Sequence, residues 1–301
     1  MTIGVRAATP GDLPAVTALL RDAKLPRDGV AEAFEDFIVA ESAGEIVGAA
    51  GLEIRGRDAL LRSVVVAPAA QGHAVGHQLT ARAIADARAR ALDTIWLLTI
   101  SAIDFFPRFG FRQVAREKVP AALQATVEFH HACPASAAVM VRRAQPLRVL
   151  VLCTANVARS QLAEAILQHR GGDLVSVASA GAVPGRAPHP MAREVLAERG
   201  IIWEGKRSKG IDEVAAAGWD LVITVCDAAR DACPVMPGAT MVHWGLEDPV
   251  SVGADQDALG RAFRTTADAL DHRFAELLRL PLAILDRDEL AREASAIHAR
   301  S

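Results

Sequence analysis

Tyrosine is missing from this 301-residue chain, cysteine occurs only four times, and neither sign of charge dominates. Each shortage excludes something. Four cysteines, at positions 133, 153, 226 and 233, are too few to staple a chain of this length with disulfides, so in a reducing compartment they read as catalytic, redox-active or simply buried. A net charge of -3 gives no general electrostatic reason to bind nucleic acid or an anionic membrane, and neither partner is expected. No apolar run is long enough to span a bilayer and the first residues carry no Lys/Arg-led apolar leader, so a cytoplasmic protein is expected. Apolar residues are plentiful: at 51% they suffice for two cores, and two domains is the starting expectation.

The most informative stretch runs Leu150-Val151-Leu152-Cys153-Thr154-Ala155-Asn156-Val157-Ala158-Arg159-Ser160. An apolar run stops on Cys153 and a helical pattern starts after Arg159, which reads as strand, tight loop, helix. Successive backbone N–H groups in such a loop converge on one anion, the helix start adds the positive end of its dipole, and Arg159 offers a planar fork to a tetrahedral oxyanion. The oxyanion cradle is therefore expected from Thr154, Ala155, Asn156, Val157, Ala158, Arg159 and Ser160. The same field favours a thiolate at Cys153, a nucleophile aimed at whatever the loop holds. Ser160 can donate a hydrogen bond to that thiolate, and Asn156 tolerates a left-handed backbone. The plain alternative, a buried structural Cys at a strand end, leaves the Arg and the Ser unexplained.

On these residues the chain resembles the low-molecular-weight tyrosine phosphatase fold, and in particular the thioredoxin-coupled arsenate reductases built on it, from about residue 148 to about residue 282. Alternating patterns follow the first strand at about Leu174 to Ser179, His189 to Arg199, Leu221 to Cys226, Thr240 to His243 and Asp255 to Leu278. That order predicts a parallel sheet with helices on both faces and a site at the carboxyl ends of its strands. Asp248, in Glu247-Asp248-Pro249, matches the family's Asp-Pro motif and is expected to protonate the leaving oxygen, with Glu247 solvated beside it. Phosphatases of this fold usually place tyrosines just after that motif. Here Val250-Ser251-Val252 follow, which suits a small inorganic oxyanion better than an aryl ring.

Cys226 ends an apolar strand and Cys233 comes seven residues later. If the segment between them is helical, the two sulfurs share a face but stand about 10 Å apart along the axis. A disulfide needs Cα atoms within roughly 7 Å, so the helix would have to unwind or bulge. The resemblance implies a relay that makes this demand: Cys153 attacks arsenate, Cys226 attacks Cys153 and releases arsenite, Cys233 closes a disulfide with Cys226, and thioredoxin reduces it. The competing reading is a low-molecular-weight protein tyrosine phosphatase, which needs only Cys153, Arg159 and Asp248, fused to a non-catalytic acyl-CoA-binding domain.

In the first half, Gln71-Gly72-His73-Ala74-Val75-Gly76 joins a strand, Leu60 to Val66, to a helix expected from about His77 to Ala91. Small residues there let backbone amides approach phosphates. With Thr94 to Thr99 and Ala102 to Phe111 behind it, the loop resembles the acyl-CoA pyrophosphate loop of the GCN5-related N-acetyltransferase family. The resemblance covers about residues 2 to 143, and the segment from Phe105 to Met140 is similar to the acetyltransferase-like proteins of arsenic-resistance operons. It implies acetyl-CoA as cofactor, held by residues 71–76 and by backbone groups of Val64, Val65 and Val66. Ala74 stands where the pattern has Gly. The family often uses a Tyr near the position of Phe106 to protonate the CoA thiolate, and with no Tyr that proton has to come from elsewhere. Glu53, expected just past the strand Val47 to Leu52, is the candidate base or substrate ligand, with an exposed strand-end charge as the alternative.

His130, His131 and Cys133 lie close together without a further ligand at a recognisable spacing, so no metal is expected. Arg142 to Pro146 is a polar joint. The expected organisation is therefore α/β with two domains, an acetyltransferase-like mixed sheet with helices over 1–145 and a parallel sheet flanked by helices over 146–283. Residues 284–301 form an amphipathic helical tail that packs on the body or on a second copy in a homodimer, or frays.

Overall fold

The structure, a computed structural model, describes residues 2–129, 134, 136–232, 236–252 and 255–300. His130, His131, Cys133 and Cys233 lie outside the described residues. The chain falls into two compact units, Met1–Gln145 and Pro146–Ser301.

Period-two hydrophobicity in the first unit builds a mixed sheet. Its strands are β1 (Gly4–Ala7), β2 (Phe37–Ser42), β3 (Glu45–Arg55), β4 (Asp58–Val66), β5 (Thr94–Thr99), β6 (Arg112–Val114) and β7 (Ala138–Arg143), in the order β1-β2-β3-β4-β5-β7-β6. Helices α1 (Leu13–Asp22), α2 (Val75–Ala89) and α3 (Ala121–Gln124) accompany them. The β2–β3 turn uses Ala43 (φ 51°) and Gly44 (φ 83°), two left-handed residues of the kind a tight hairpin needs. Val75, Leu79, Ala83, Ile84 and Ala87 of α2 enter the main core, while Val16 and Leu20 of α1 pack with Phe34, Phe37 and Val39 in a second cluster. Two features of β4 shape this unit. A register shift against β3 leaves Ser63 with φ 56°, a bulge; and β4 pairs with the parallel β5 only from Asp58 to Leu60, so the rest of both strands runs on without a ladder between them.

The second unit is doubly covered. Strands β8 (Leu147–Cys153), β9 (Val175–Gly181), β10 (Leu221–Thr224) and β11 (Thr240–His243) form a wholly parallel sheet in the order β11-β10-β8-β9. Helices α4 (Arg159–Gly171), α5 (Pro190–Glu198), α6 (Asp227–Ala232), α7 (Gln256–Arg279) and α8 (Arg287–Arg300) complete it. The continuous apolar run of β8 is what such a sheet requires: Val149 and Val151 join the larger core with α4 and α7, whereas Leu150 and Leu152 join a second cluster with Trp219, Val222 and Met236. The tail packs on this body. Leu290, Ala294 and Ile297 of α8 are buried, and the wholly buried Trp244 donates its indole N–H to the Ala294 carbonyl at 2.9 Å.

Candidate active site

The carboxyl end of β8 carries Cys153, and α4 begins on Arg159, so residues 154–158 form the connecting loop. Its acceptors point away from its centre. The carbonyls of Cys153, Thr154, Ala155 and Val157 take N–H bonds from Ala182, Val183, Gly185 and His189, an arrangement that leaves the N–H side of the loop to an anion. Such close approach needs glycine at 181, where a Cβ would come within 2.7 Å of the Thr154 carbonyl oxygen and 2.8 Å of the Asn156 nitrogen.

Asn156 is the hub. It is fully buried with φ 52°, and its amide donates to Ser160 Oγ (2.9 Å) and Ser179 Oγ (2.8 Å) while its Oδ1 accepts from Gln161 Nε2 (3.1 Å) and the Lys209 N–H (2.8 Å). All four side-chain hydrogen-bond positions are filled. Ser208 Oγ holds its backbone carbonyl at 2.8 Å. Ser179 in turn donates to Glu164 Oε2 at 2.6 Å, and Lys209 Nζ neutralises that buried carboxylate at 3.2 Å. The product of this network is the placement of one sulfur. Cys153 Sγ receives the Asn156 N–H at 3.1 Å and lies 2.8 Å from Ser160 Oγ, two donors of the kind a thiolate nucleophile needs.

Two further groups converge on the loop. Arg159 donates Nη1 to the Leu246 carbonyl at 3.0 Å and pairs Nη2 with Asp248 Oδ2 at 3.1 Å, which brings the acid of the β11–α7 connection over the loop. Asp248 is held from behind by the Val250 N–H at 3.2 Å, and Glu247 is exposed. Cys226, buried just ahead of α6, sits with Sγ 3.2 Å from Thr154 Oγ1. Cys153, Arg159, Asp248, Thr154 and Cys226 are thus gathered at the carboxyl end of the sheet, as the parallel topology dictates. The positioning partners Ser179, Glu164, Ser208 and Lys209 escaped the sequence reading. One sign was present: a glutamate inside the run Leu162-Ala163-Glu164-Ala165-Ile166-Leu167 requires a buried cation if that run is core.

In the first unit, Gln71, Gly72, His73 and Ala74 are exposed at the start of α2, with Gly72 at φ 81° and Ala74 at φ 58°. The helix begins on Val75, two residues before the expected His77, because Ala74 supplies the left-handed residue that turns the chain into it. Gly76 lies under the Phe105 ring, where an added Cβ would stand 3.5 Å away. Val64, Val65 and Val66 occupy β4 just past its bulge, where β5 no longer pairs with it.

Glu53 departs from the expectation of a base past a strand end. β3 continues to Arg55, so Glu53 is inside the strand and buried; its Oε1 takes Arg55 at 2.6 Å and its Oε2 takes the wholly buried Arg62 at 2.9 Å. Arg62 also pairs with Glu128 at 2.7 Å. Both Glu53 oxygens are thus engaged by guanidinium groups, one of them that of the buried Arg62. It also borders a cavity of about 330 Å³ that Glu32, Glu35, Asp36 and Arg55 line. Among the described residues no cluster of three or more His, Cys, Asp or Glu could hold a metal ion, and no helix is long and apolar enough to cross a membrane.

Comparison with known proteins divides at the same place. Residues 148–295 match the Low molecular weight phosphotyrosine protein phosphatase family, and residues 33–113 match the Acetyltransferase (GNAT) domain. An arsenate reductase of Halalkalibacterium halodurans is 35% identical over 132 residues, which are 42% of this chain and 94% of that protein. One from Bacillus subtilis is 33% identical over 129 residues, 42% of this chain and 92% of its own length. Among solved structures, a Mycobacterium tuberculosis protein in complex with CoA is 26% identical, covering 46% of this chain and 97% of its own with a TM-score of 0.41.

Proposed function

Because its second half belongs to the arsenate reductases of the low molecular weight phosphotyrosine protein phosphatase family, behind a GNAT acetyltransferase domain, we propose that the chain reduces arsenate to arsenite with Cys153, Cys226 and Cys233. Arsenate lies in the 153–159 loop against Arg159. Cys153 attacks arsenic, and Asp248 protonates the departing hydroxide. Cys226 then attacks the Cys153 sulfur, so that arsenic leaves as arsenite with two electrons from the thiols. Cys233 attacks Cys226, and thioredoxin reduces the resulting disulfide by exchange. The observation that carries this reading is the second thiol at the loop, Cys226 Sγ at 3.2 Å from Thr154 Oγ1. Hydrolysis of a phosphate ester needs no such thiol.

The test is NADPH oxidation with arsenate, thioredoxin and thioredoxin reductase, run on the intact chain and on Cys226→Ser and Cys233→Ser. Arsenate-dependent oxidation by the intact chain and none by either variant is the expected result. Turnover retained in either variant overturns the relay; fast aryl phosphate hydrolysis indifferent to both, with no arsenate-dependent oxidation, favours the phosphatase reading.

The first unit fits an acyl-CoA. The stretch of β4 past the Ser63 bulge, Val64 to Val66, which pairs with β3 but not with β5, would hold the pantetheine arm, and the amides of residues 71–76 at the start of α2 would hold the pyrophosphate. When bound, the group supplies an activated acyl thioester. Glu53 and Glu128 fix the buried Arg62 beside that slot, and the cavity of about 330 Å³ is open to an acceptor.

A further inference from the structure

The short helix α6 starts directly after Cys226, and its first residue is tied to a neighbouring strand. Asp227 Oδ1 lies 3.2 Å from Nε2 of His243, the last residue of β11. Nδ1 of the same ring is 2.9 Å from the hydroxyl of Thr224, which ends β10 two residues before Cys226. The imidazole therefore spans from the strand beneath the thiol to the helix above it. Room for it exists only because residue 245 is glycine: a Cβ there would stand 2.9 Å from Nε2.

We infer that His243 is a positioning residue for the relay, a latch that holds Asp227, and through it Cys226, beside the 153–159 loop. The inference rests on the relay reading given above. The two thiol steps make opposite demands on Cys226. Attack on Cys153 needs its sulfur beside Thr154, where the latched start of α6 keeps it. Closing a disulfide with Cys233 needs Cα atoms within roughly 7 Å, and so needs α6, whose five steps from Asp227 to Ala232 alone rise about 7.5 Å, to give up its helical pitch. A closed latch favours the first step and opposes the second.

Protonation sets its strength. With the ring neutral, Nε2–H donates one hydrogen bond to the Asp227 carboxylate; with the ring protonated, that bond joins opposite charges and tightens. Other charged groups face the pair. On α6, Arg230 approaches Asp227 at 3.4 Å and Asp231 at 3.2 Å. From α8, the His298 ring stands 6.2 Å from that of His243; burial first, then Arg273 of α7 and His243 itself, push the His298 imidazole below its ordinary range.

The test is an equilibrium that needs neither arsenate nor thioredoxin. The full chain is held in glutathione redox buffers at pH 5.5 and at pH 8, quenched in acid, alkylated, and scored for the Cys226–Cys233 disulfide by mass spectrometry. Two thiols and one oxidised glutathione give one protein disulfide and two reduced glutathiones, so comparing variants at one pH cancels the buffer. Asp227→Asn changes an exposed side chain and is expected to shift the equilibrium constant toward the disulfide by about threefold at pH 5.5 and by less than about 1.5-fold at pH 8, the modest size reflecting the exposure of Asp227. In a His243→Gln background the same substitution is expected to give equal shifts at both pH values, which separates His243 from His298. A merely structural effect of Asp227 on α6 moves both pH values alike, and that result overturns the latch. Absence of any Cys226–Cys233 disulfide in the unmodified chain overturns the relay and the latch together.

Discussion

Residues 71–76 and residues 153–159 follow one local recipe and end as different devices. Each joins a strand to a helix, and each turns the chain through a left-handed non-glycine residue, Ala74 at φ 58° and Asn156 at φ 52°. In the first loop the side-chain hydrogen bonds are local, Gln71 Nε2 to the Val66 carbonyl at 3.4 Å and His73 Nδ1 with the Gln71 carbonyl at 3.1 Å. In the second, Asn156 is buried at the centre of bonds reaching Ser160, Ser179, Ser208 and Lys209. Holding an anion by backbone amides needs little more than small residues and a helix start. Keeping a nucleophilic sulfur in register with that anion needs a buried polar network with every member satisfied.

The comparison is sharpened most by Cys153→Ser. Arsenate reduction and aryl phosphate hydrolysis should both fall by at least about 10³-fold, since a hydroxyl without an adjacent base is a poor nucleophile. CoA binding measured by calorimetry should not change; residual turnover above a few per cent would put the chemistry elsewhere. Next in size is Asn156→Ala, which takes a side-chain partner from Ser160, Ser179, Gln161 and the Lys209 N–H and should lower stability by about 2–3 kcal/mol in urea unfolding followed by Trp fluorescence. If Asn156→Ala cost no more than His73→Ala, the two loops would not differ as described. The smallest effect belongs to Ala74→Gly: relieving the left-handed alanine should stabilise the first unit by about 0.5–1 kcal/mol, read as a rise in its melting temperature.

What could be read from the chain beforehand follows the range of the forces involved. The 153–159 loop was legible because strand, loop and helix are consecutive, and the continuous apolar run of β8 announced a strand covered on both faces. The network behind Asn156 was not, because Glu164, Ser179, Ser208 and Lys209 meet only once α4, β9 and the segment after α5 have packed. Glu53 shows the same limit. Its sequence neighbours suggest a strand end, whereas the guanidinium of Arg62, nine positions away, makes a buried carboxylate tolerable within a longer strand. At Ala74 the backbone is left-handed, and α2 starts directly after it, two residues earlier than the apolar spacing suggests.

Gly181 carries a consequence of another kind. A single carbon added there meets three backbone atoms of the 153–159 loop, none of which is the movable end of a side chain. All glycine codons open with two guanines, so every missense change in either of those positions puts that carbon in place, and only third-base changes are silent. Nearly every non-synonymous mutation at this codon thus strikes the loop through its main chain, where no side chain can be repacked to absorb it. A codon whose missense changes all strike the loop thus encodes a residue that has no side chain and performs none of the chemistry.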